Sequence, residues 1–187
     1  NASTFTARVV AGTEANLPGT GIGFFSSDLQ LLEQQLKHIE WLQTAELRRV
    51  WPDRLHIKIT EQTAIARWND KSLINQYGEI FTPASIEGLS TLPLLTGAEQ
   101  ELPHILLTFN ELQQLLTPIE LQIEVLNLNH RYSWSLSLSN SIQLEVGRKN
   151  LIQRVERFIA LYPLLKSETG LPIAKVDLRY DTGLAVT

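Results

Sequence analysis

Ala174, Val176, Leu178 and Tyr180 alternate with Lys175, Asp177 and Arg179 near the C-terminus. That period of two predicts a strand with one buried and one wet face, and places Tyr180 in partial burial. Asp181-Thr182-Gly183 supplies turn chemistry, with Gly183 free to take positive φ, and Leu184-Ala185-Val186-Thr187 reads as a short returning strand. A closing strand of this kind falls at a sheet edge. Its unpaired N–H and C=O groups are then open to a second polypeptide, unless the hairpin serves only to close the sheet, as most edges do.

The same patterning organises the rest of the chain. Phe5 to Ala11 predicts a strand ended by Gly12. Ser26, Ser27 and Asp28 are N-cap residues for a helix whose stripe is Leu29, Leu32, Leu36 and Ile39, with Trp41 and Leu42 closing it onto the core. Two strands follow, Ala45 to Val50 and Leu55-Ile57-Ile59, joined by a turn at Trp51-Pro52-Asp53; His56 falls on the wet face. Arg67-Trp68 is strand-like, and Ile74 to Phe81 predicts a hairpin bent at Tyr77-Gly78-Glu79. Pro83 to Glu101, broken by Pro93 and Gly97, reads as a surface excursion. Ile105, Phe109, Leu112 and Leu116 form a helical stripe, stopped by Pro118. Three strands then alternate: Leu121-Ile123-Val125, Tyr132-Trp134-Leu136-Leu138 and Ile142-Leu144-Val146, with Gly147 ending the meander. Leu151, Val155, Phe158, Tyr162 and Leu165 mark a second amphipathic helix, released by Gly170 and Pro172 into the final hairpin.

The pattern predicts an α+β chain: a small N-terminal module over 1–60, then a mostly antiparallel β-sheet domain with packed helices over 61–187. Composition narrows what it can do. Hydrophobic residues make up 43% and charged residues 19% of the chain, which are globular values. A net charge of −4 offers no basic field for nucleic acid. With no Cys there is no disulfide, thiolate metal site or Cys nucleophile. The absence of Met implies that Asn1 is not the translational start; a signal peptide, a membrane anchor or simply a cut in a longer chain is expected before it. No apolar run approaches the roughly 18–20 residues of a membrane span, so the remainder is expected to be soluble.

Chemistry-bearing motifs are sparse. Gly19-Thr20-Gly21 departs from dinucleotide-loop spacing and reads as a plain loop. His38, His56, His104 and His130 are scattered without metal-ligand spacing, and no nucleophile elbow occurs. No cofactor or metal is expected. Trp51, Trp68 and Trp134 read as core or turn closure.

Several pieces in order carry a resemblance: Arg48-Arg49 before Trp51-Pro52-Asp53-Arg54-Leu55, then Glu61, Ala66-Arg67-Trp68-Asn69, Leu92-Pro93-Leu94-Leu95-Thr96-Gly97, Ser133-Trp134, Leu144-Glu145-Val146-Gly147-Arg148, Arg157-Phe158 and Val176-Asp177-Leu178-Arg179-Tyr180-Asp181. From about Phe25 to Thr187 the chain resembles the periplasmic part of the FtsQ/DivIB family. The resemblance implies a POTRA-like domain over 1–60 and an FtsQ-type β domain over 61–187. It implies a non-catalytic divisome scaffold in the bacterial inner membrane at the septum, held by one upstream membrane helix, with this region periplasmic. The implied partners are the coiled-coil proteins FtsB and FtsL, with further division proteins through the POTRA unit. The chain departs from the family between Gly12 and Phe24, where there is too little length for the first POTRA helix.

Carried over by resemblance, the FtsB-binding residues are Arg131, Arg179, Tyr180, Thr182, Gly183, Leu184, Ala185, Val186 and Thr187. Physical chemistry gives each a role. The terminal edge offers main-chain pairing. Tyr180 offers a rigid aromatic surface and Arg179 a forked cation. Arg131 would meet an acidic partner residue, and a Cβ at Gly183 would strain the turn that aims the last strand. Two other classes remain open from sequence: a POTRA module of outer-membrane protein transport, and a periplasmic hydrolase.

Overall fold

The computed structural model describes residues 2–8, 36, 39–50, 54–168, 173–180 and 183–187. The chain divides into two compact units, Asn1–Thr63 and Ala64–Thr187. Among the described residues no helix is long and apolar enough to cross a membrane.

In the first unit, β1 (Ala2–Arg8), β2 (Leu42–Val50) and β3 (Arg54–Glu61) form a sheet of order β1-β3-β2. Both pairings are antiparallel. Ala45 and Leu47 are half-buried between exposed Thr44, Glu46 and Arg48, as alternation requires. The first strand begins at Ala2, earlier than the Phe5–Ala11 pattern predicts, and residues 9–11 lie outside the described residues. Of the predicted helix, Leu36 is helical and most of the remainder lies outside the described residues, as do the Gly12–Phe24 stretch and the Trp51-Pro52-Asp53 turn. The helical stripe does not run to residue 42. Ile39 is 49% and Trp41 38% exposed, a turn closes with Leu42 N–H donating to Ile39 O, and Leu42 opens β2. The turn breaks the helical phase, so Ile39 and Trp41 leave the core face. His56 is half-buried rather than fully wet.

The second unit is built on nine strands in the order β12-β11-β10-β9-β8-β7-β4-β5-β6. These are β4 (Ala64–Trp68), β5 (Ser72–Asn75), β6 (Ile80–Phe81), β7 (Leu94–Thr96), β8 (Ile123–Leu128), β9 (Trp134–Leu138), β10 (Gln143–Gly147), β11 (Lys175–Asp177) and β12 (Ala185–Val186). Most neighbours are antiparallel; β4–β7, β7–β8 and β10–β11 are parallel. Helices α1 (Leu102–Leu116) and α2 (Leu151–Glu168) pack on β8 and β10 respectively. Ile105, Leu112, Leu116, Val155 and Phe158 join Leu95, Leu126, Leu136, Leu144, Val176 and Leu178 in one core. Each large side chain buried there contributes about 1.5–3 kcal/mol. Trp68 and Trp134 belong to the same core, and Trp51 lies outside the described residues.

Three readings of the pattern need correction. Pro83 to Glu101 is not only a surface excursion: it contains β7, which runs through the middle of the sheet with Leu95 fully buried. Three residues between Pro93 and Gly97 are too few to show a period. In β8, the expected face of Leu121, Ile123 and Val125 is broken by a register shift between Ile123 and Val125. A bulge reverses parity, so Leu126 and Leu128 fill the core while Val125 is half-buried. Tyr132 is not a strand residue; it stands in the β8–β9 turn, 57% exposed, at φ 57°.

Candidate functional site

The end of the sheet carrying β12 is assembled from four segments. β11 lies parallel to β10 after the α2 crossover, pairing Gln143 with Lys175 through Glu145 with Asp177. Leu178 N–H adds a further rung to Glu145 O at 2.8 Å. β12 returns antiparallel, pairing Val176 with Val186 and Asp177 with Ala185. Thr187 N–H donates to Lys175 O at 2.9 Å, and Lys175 N–H to Thr187 O at 3.0 Å. Lys175 and Thr187 are therefore a hydrogen-bonded pair, and Val176 and Val186 the following non-hydrogen-bonded pair. The main-chain N–H and C=O of Val186 thus point away from β11, along the outer rim. Among the described residues no strand covers that rim. Ala185, Val186 and Thr187 are exposed, and Leu184 is half-buried against the core.

Beside the rim the chain turns out of the sheet at Arg179 and Tyr180. Asp177 organises the exit. Its Oδ1 accepts from Arg179 N–H at 3.0 Å, and its carboxylate accepts from Arg179 Nε at 2.9 and 3.0 Å and from Nη2 at 2.6 Å. The side-chain hydrogen bonds from Arg179 hold the Asp177 carboxyl below its ordinary value, against a smaller opposing effect of burial. The same bonds to Asp177 raise the Arg179 guanidinium. Tyr180 is 58% exposed, so the continued alternation that predicted its partial burial fails. β11 ends at Asp177, Leu178 stays buried, and the chain turns outward at Arg179, whose N–H the Asp177 carboxylate holds.

Arg131 and Arg179 line one open cleft of about 510 Å³, together with Arg148, Lys149, Arg154 and Glu145. Five cations line it against Glu145 as the single lining carboxylate; Arg179 is paired with Asp177 and Glu145 with Lys175 at 3.0 Å. Arg131 is presented by the β8–β9 turn. Asn129 Oδ1 accepts from the N–H groups of Arg131 and Ser133, and Asn129 O from Tyr132 N–H. The geometry suits an extended, acidic polypeptide: a rim for main-chain pairing, a cationic cleft beside it, and an exposed phenol.

Thr182 lies outside the described residues. Gly183 differs from expectation. Its φ is outside the left-handed region, and an added Cβ meets no atom within 4 Å. Backbone strain is therefore not what a side chain at Gly183 would cause. Glycine is required instead at Gly147, at φ +84°, where a Cβ would stand 3.1 Å from Arg154 Nη1 and 3.2 Å from Arg179 Cγ. Sequence reasoning did not single out Tyr132, Arg148, Lys149 or Arg154. The Gly147-Arg148-Lys149 run between a strand and a helix was the available signal. Arg154 gave none, since a cation on an amphipathic helix reads as solvated. Among the described residues no group of three or more His, Cys, Asp or Glu is placed to hold a metal.

Residues 66–179 match the family model of the C-terminal region of cell division protein FtsQ/DivIB, and residues 10–62 match the FtsQ-type POTRA domain. The chain belongs to the FtsQ/DivIB family. The cell division protein FtsQ of Shewanella oneidensis is 40% identical over 163 residues, covering 87% of this chain and 62% of that protein. FtsQ of Coxiella burnetii is 38% identical over 164 residues, covering 88% of this chain and 68% of the relative. FtsQ of Escherichia coli is 34% identical over 174 residues, covering 90% and 62%. The chain thus spans about three fifths of the Shewanella FtsQ. The match to the FtsQ/DivIB C-terminal model stops at Arg179, so Tyr180 and the returning strand lie beyond it. FtsQ family membership displaces the outer-membrane transport and hydrolase readings.

Proposed function

We propose that this chain is the partner-binding region of a non-catalytic division scaffold, and that it docks FtsB, with FtsL, by strand addition along the outer rim of β12. The observation that carries the reading is the uncovered rim at Val186, flanked by exposed Tyr180 and the cation-lined cleft. An incoming strand completes the hydrogen bonds that Val186 directs outward. Tyr180 supplies a rigid contact surface, and Arg131 and Arg179 steer and orient acidic side chains of the partner. Tyr132, adjacent in sequence to Arg131 and about as exposed as Tyr180, offers a second aromatic surface in the same turn. The same reading places the region in the periplasm of a septal inner-membrane protein held by one upstream helix, with other division proteins meeting the POTRA unit.

Calorimetry with an FtsB periplasmic segment tests the site. Tyr180→Ala and Gly183→Asp are expected to lose binding while the fold is kept. Parent-like affinity in both variants would overturn the assignment. Hydrogen exchange with and without the FtsB segment should show protection concentrated in the final hairpin.

A further inference from the structure

We propose that Arg154 is the positioning residue of the docking rim: reaching from α2 over the end of β10, it sets where Arg179 and Tyr180 leave the sheet. This rests on the edge-docking reading for its consequence, though not for its geometry. The main-chain ladder between β10 and the final hairpin runs to the Leu178–Glu145 rung. Past that rung, side chains hold the backbone. Asp177 takes the Arg179 N–H, and Arg154 Nη2 donates to Arg179 O at 2.9 Å. Arg154 Nη1 donates to Val146 O at 2.6 Å. One planar guanidinium therefore ties the end of β10 to the exit of β11. A lysine, with a single ammonium on a flexible stem, cannot reproduce that fork.

The surroundings are built for this contact. Arg154 is 8% exposed, on a helix face whose neighbours Val155 and Phe158 are fully buried. A cation with so little exposure persists where carbonyl oxygens accept its N–H groups, as those of Val146 and Arg179 do. Gly147, lacking a side chain, leaves the space in which Arg154 Nη1 and the Arg179 stem approach each other. The rim that meets the partner is thus aimed by the helix packed behind it. A change at Arg154 reaches the partner through Arg179 and Tyr180.

Three measurements test it. In the parent protein, nitrogen NMR should resolve the two Nη groups of Arg154 as distinct, slowly rotating sites; averaged signals would overturn the contact without any variant. With fluorotyrosine labelling, Arg154→Lys should move or broaden the Tyr180 signal and leave that of Tyr77, in the β5–β6 hairpin, unchanged. An unmoved Tyr180 signal counts against the proposal. In a double-mutant cycle, Arg154→Lys should weaken the FtsB segment about tenfold in the parent and less than about twofold in a Tyr180→Ala background. Equal losses in both backgrounds mean a merely structural role and overturn it. If Arg154→Lys does not fold, the guanidinium measurement on the parent decides. If the parent binds no FtsB segment, the edge-docking reading fails, while the two NMR arms still decide what Arg154 holds.

Discussion

The two ends of the nine-stranded sheet finish in strands of equal length, Ile80–Phe81 at β6 and Ala185–Val186 at β12. Length therefore does not distinguish them; their surroundings do. At the β6 end, Ile80 and Phe81 are half-buried, and buried Asn75 closes the hairpin. Its Oδ1 accepts from the N–H groups of Tyr77 and Glu79, and its Nδ2 donates to Glu79. Ser72 and Thr82 add a hydroxyl–hydroxyl bond at 2.8 Å across the end. At the β12 end the strand residues are exposed, and the nearby cleft is lined by five cations. One end is closed at its turn by side-chain bonds and keeps its strand residues half-buried; the other leaves exposed strand residues beside charge. A sheet edge is protected or offered by what flanks it.

The contrast can be broken by measurement. The largest effect on binding is expected from Tyr180→Ala, which should cost about 2 kcal/mol of FtsB affinity, roughly thirtyfold. Its thermal unfolding should stay near the parent's, since exposed substitutions change stability by about 0.5 kcal/mol or less. Asn75→Ala tests the other end. It strands two main-chain donors and should cost about 2 kcal/mol of folding stability in denaturant titration, with FtsB affinity unchanged. If it weakens FtsB binding as strongly as Tyr180→Ala does, the two ends are not independent.

A smaller effect is expected from Val186→Pro. The lost N–H points outward, so folding should change little, while FtsB affinity falls by about 1 kcal/mol, near fivefold, in calorimetry. Gly183→Ala should be nearly neutral for stability, within about 0.5 kcal/mol by thermal melt. A large destabilisation there would contradict the open space beside Gly183. The smallest effect is that of pH. Because Asp177 is held below its ordinary value, its fork to Arg179 contributes fully above the usual aspartate range of about 4 and is lost as pH falls through the lowered value. Mild acidification from neutrality should leave the Tyr180 environment unchanged. Stronger acid should alter the Tyr180 fluorotyrosine signal before that of Tyr77; the reverse order would place the sensitive contact elsewhere.

Much of this molecule was legible in its sequence. The α1 and α2 stripes are long enough to show a helical period, and their anchors Ile105, Leu112, Val155 and Phe158 are fully buried. The terminal hairpin showed itself through alternation and turn residues. What failed did so for local reasons. β7 is too short to carry a period, and the bulge in β8 reverses parity after Ile123, which an alternation count cannot foresee. The alternation that predicts partial burial of Tyr180 stops at Leu178, and Tyr180 is exposed.

The sequence by itself determined the elements, the apolar faces and a family likeness, because periodicity and turn chemistry are properties of neighbouring residues. Only the tertiary structure decided that Arg131, Arg148, Lys149, Arg154 and Arg179 line one cleft, since they come from a turn, a strand-to-helix connection, a helix and a strand end. It also decided which side of the final strand faces outward, because that depends on register with β11 rather than on any residue of β12 alone.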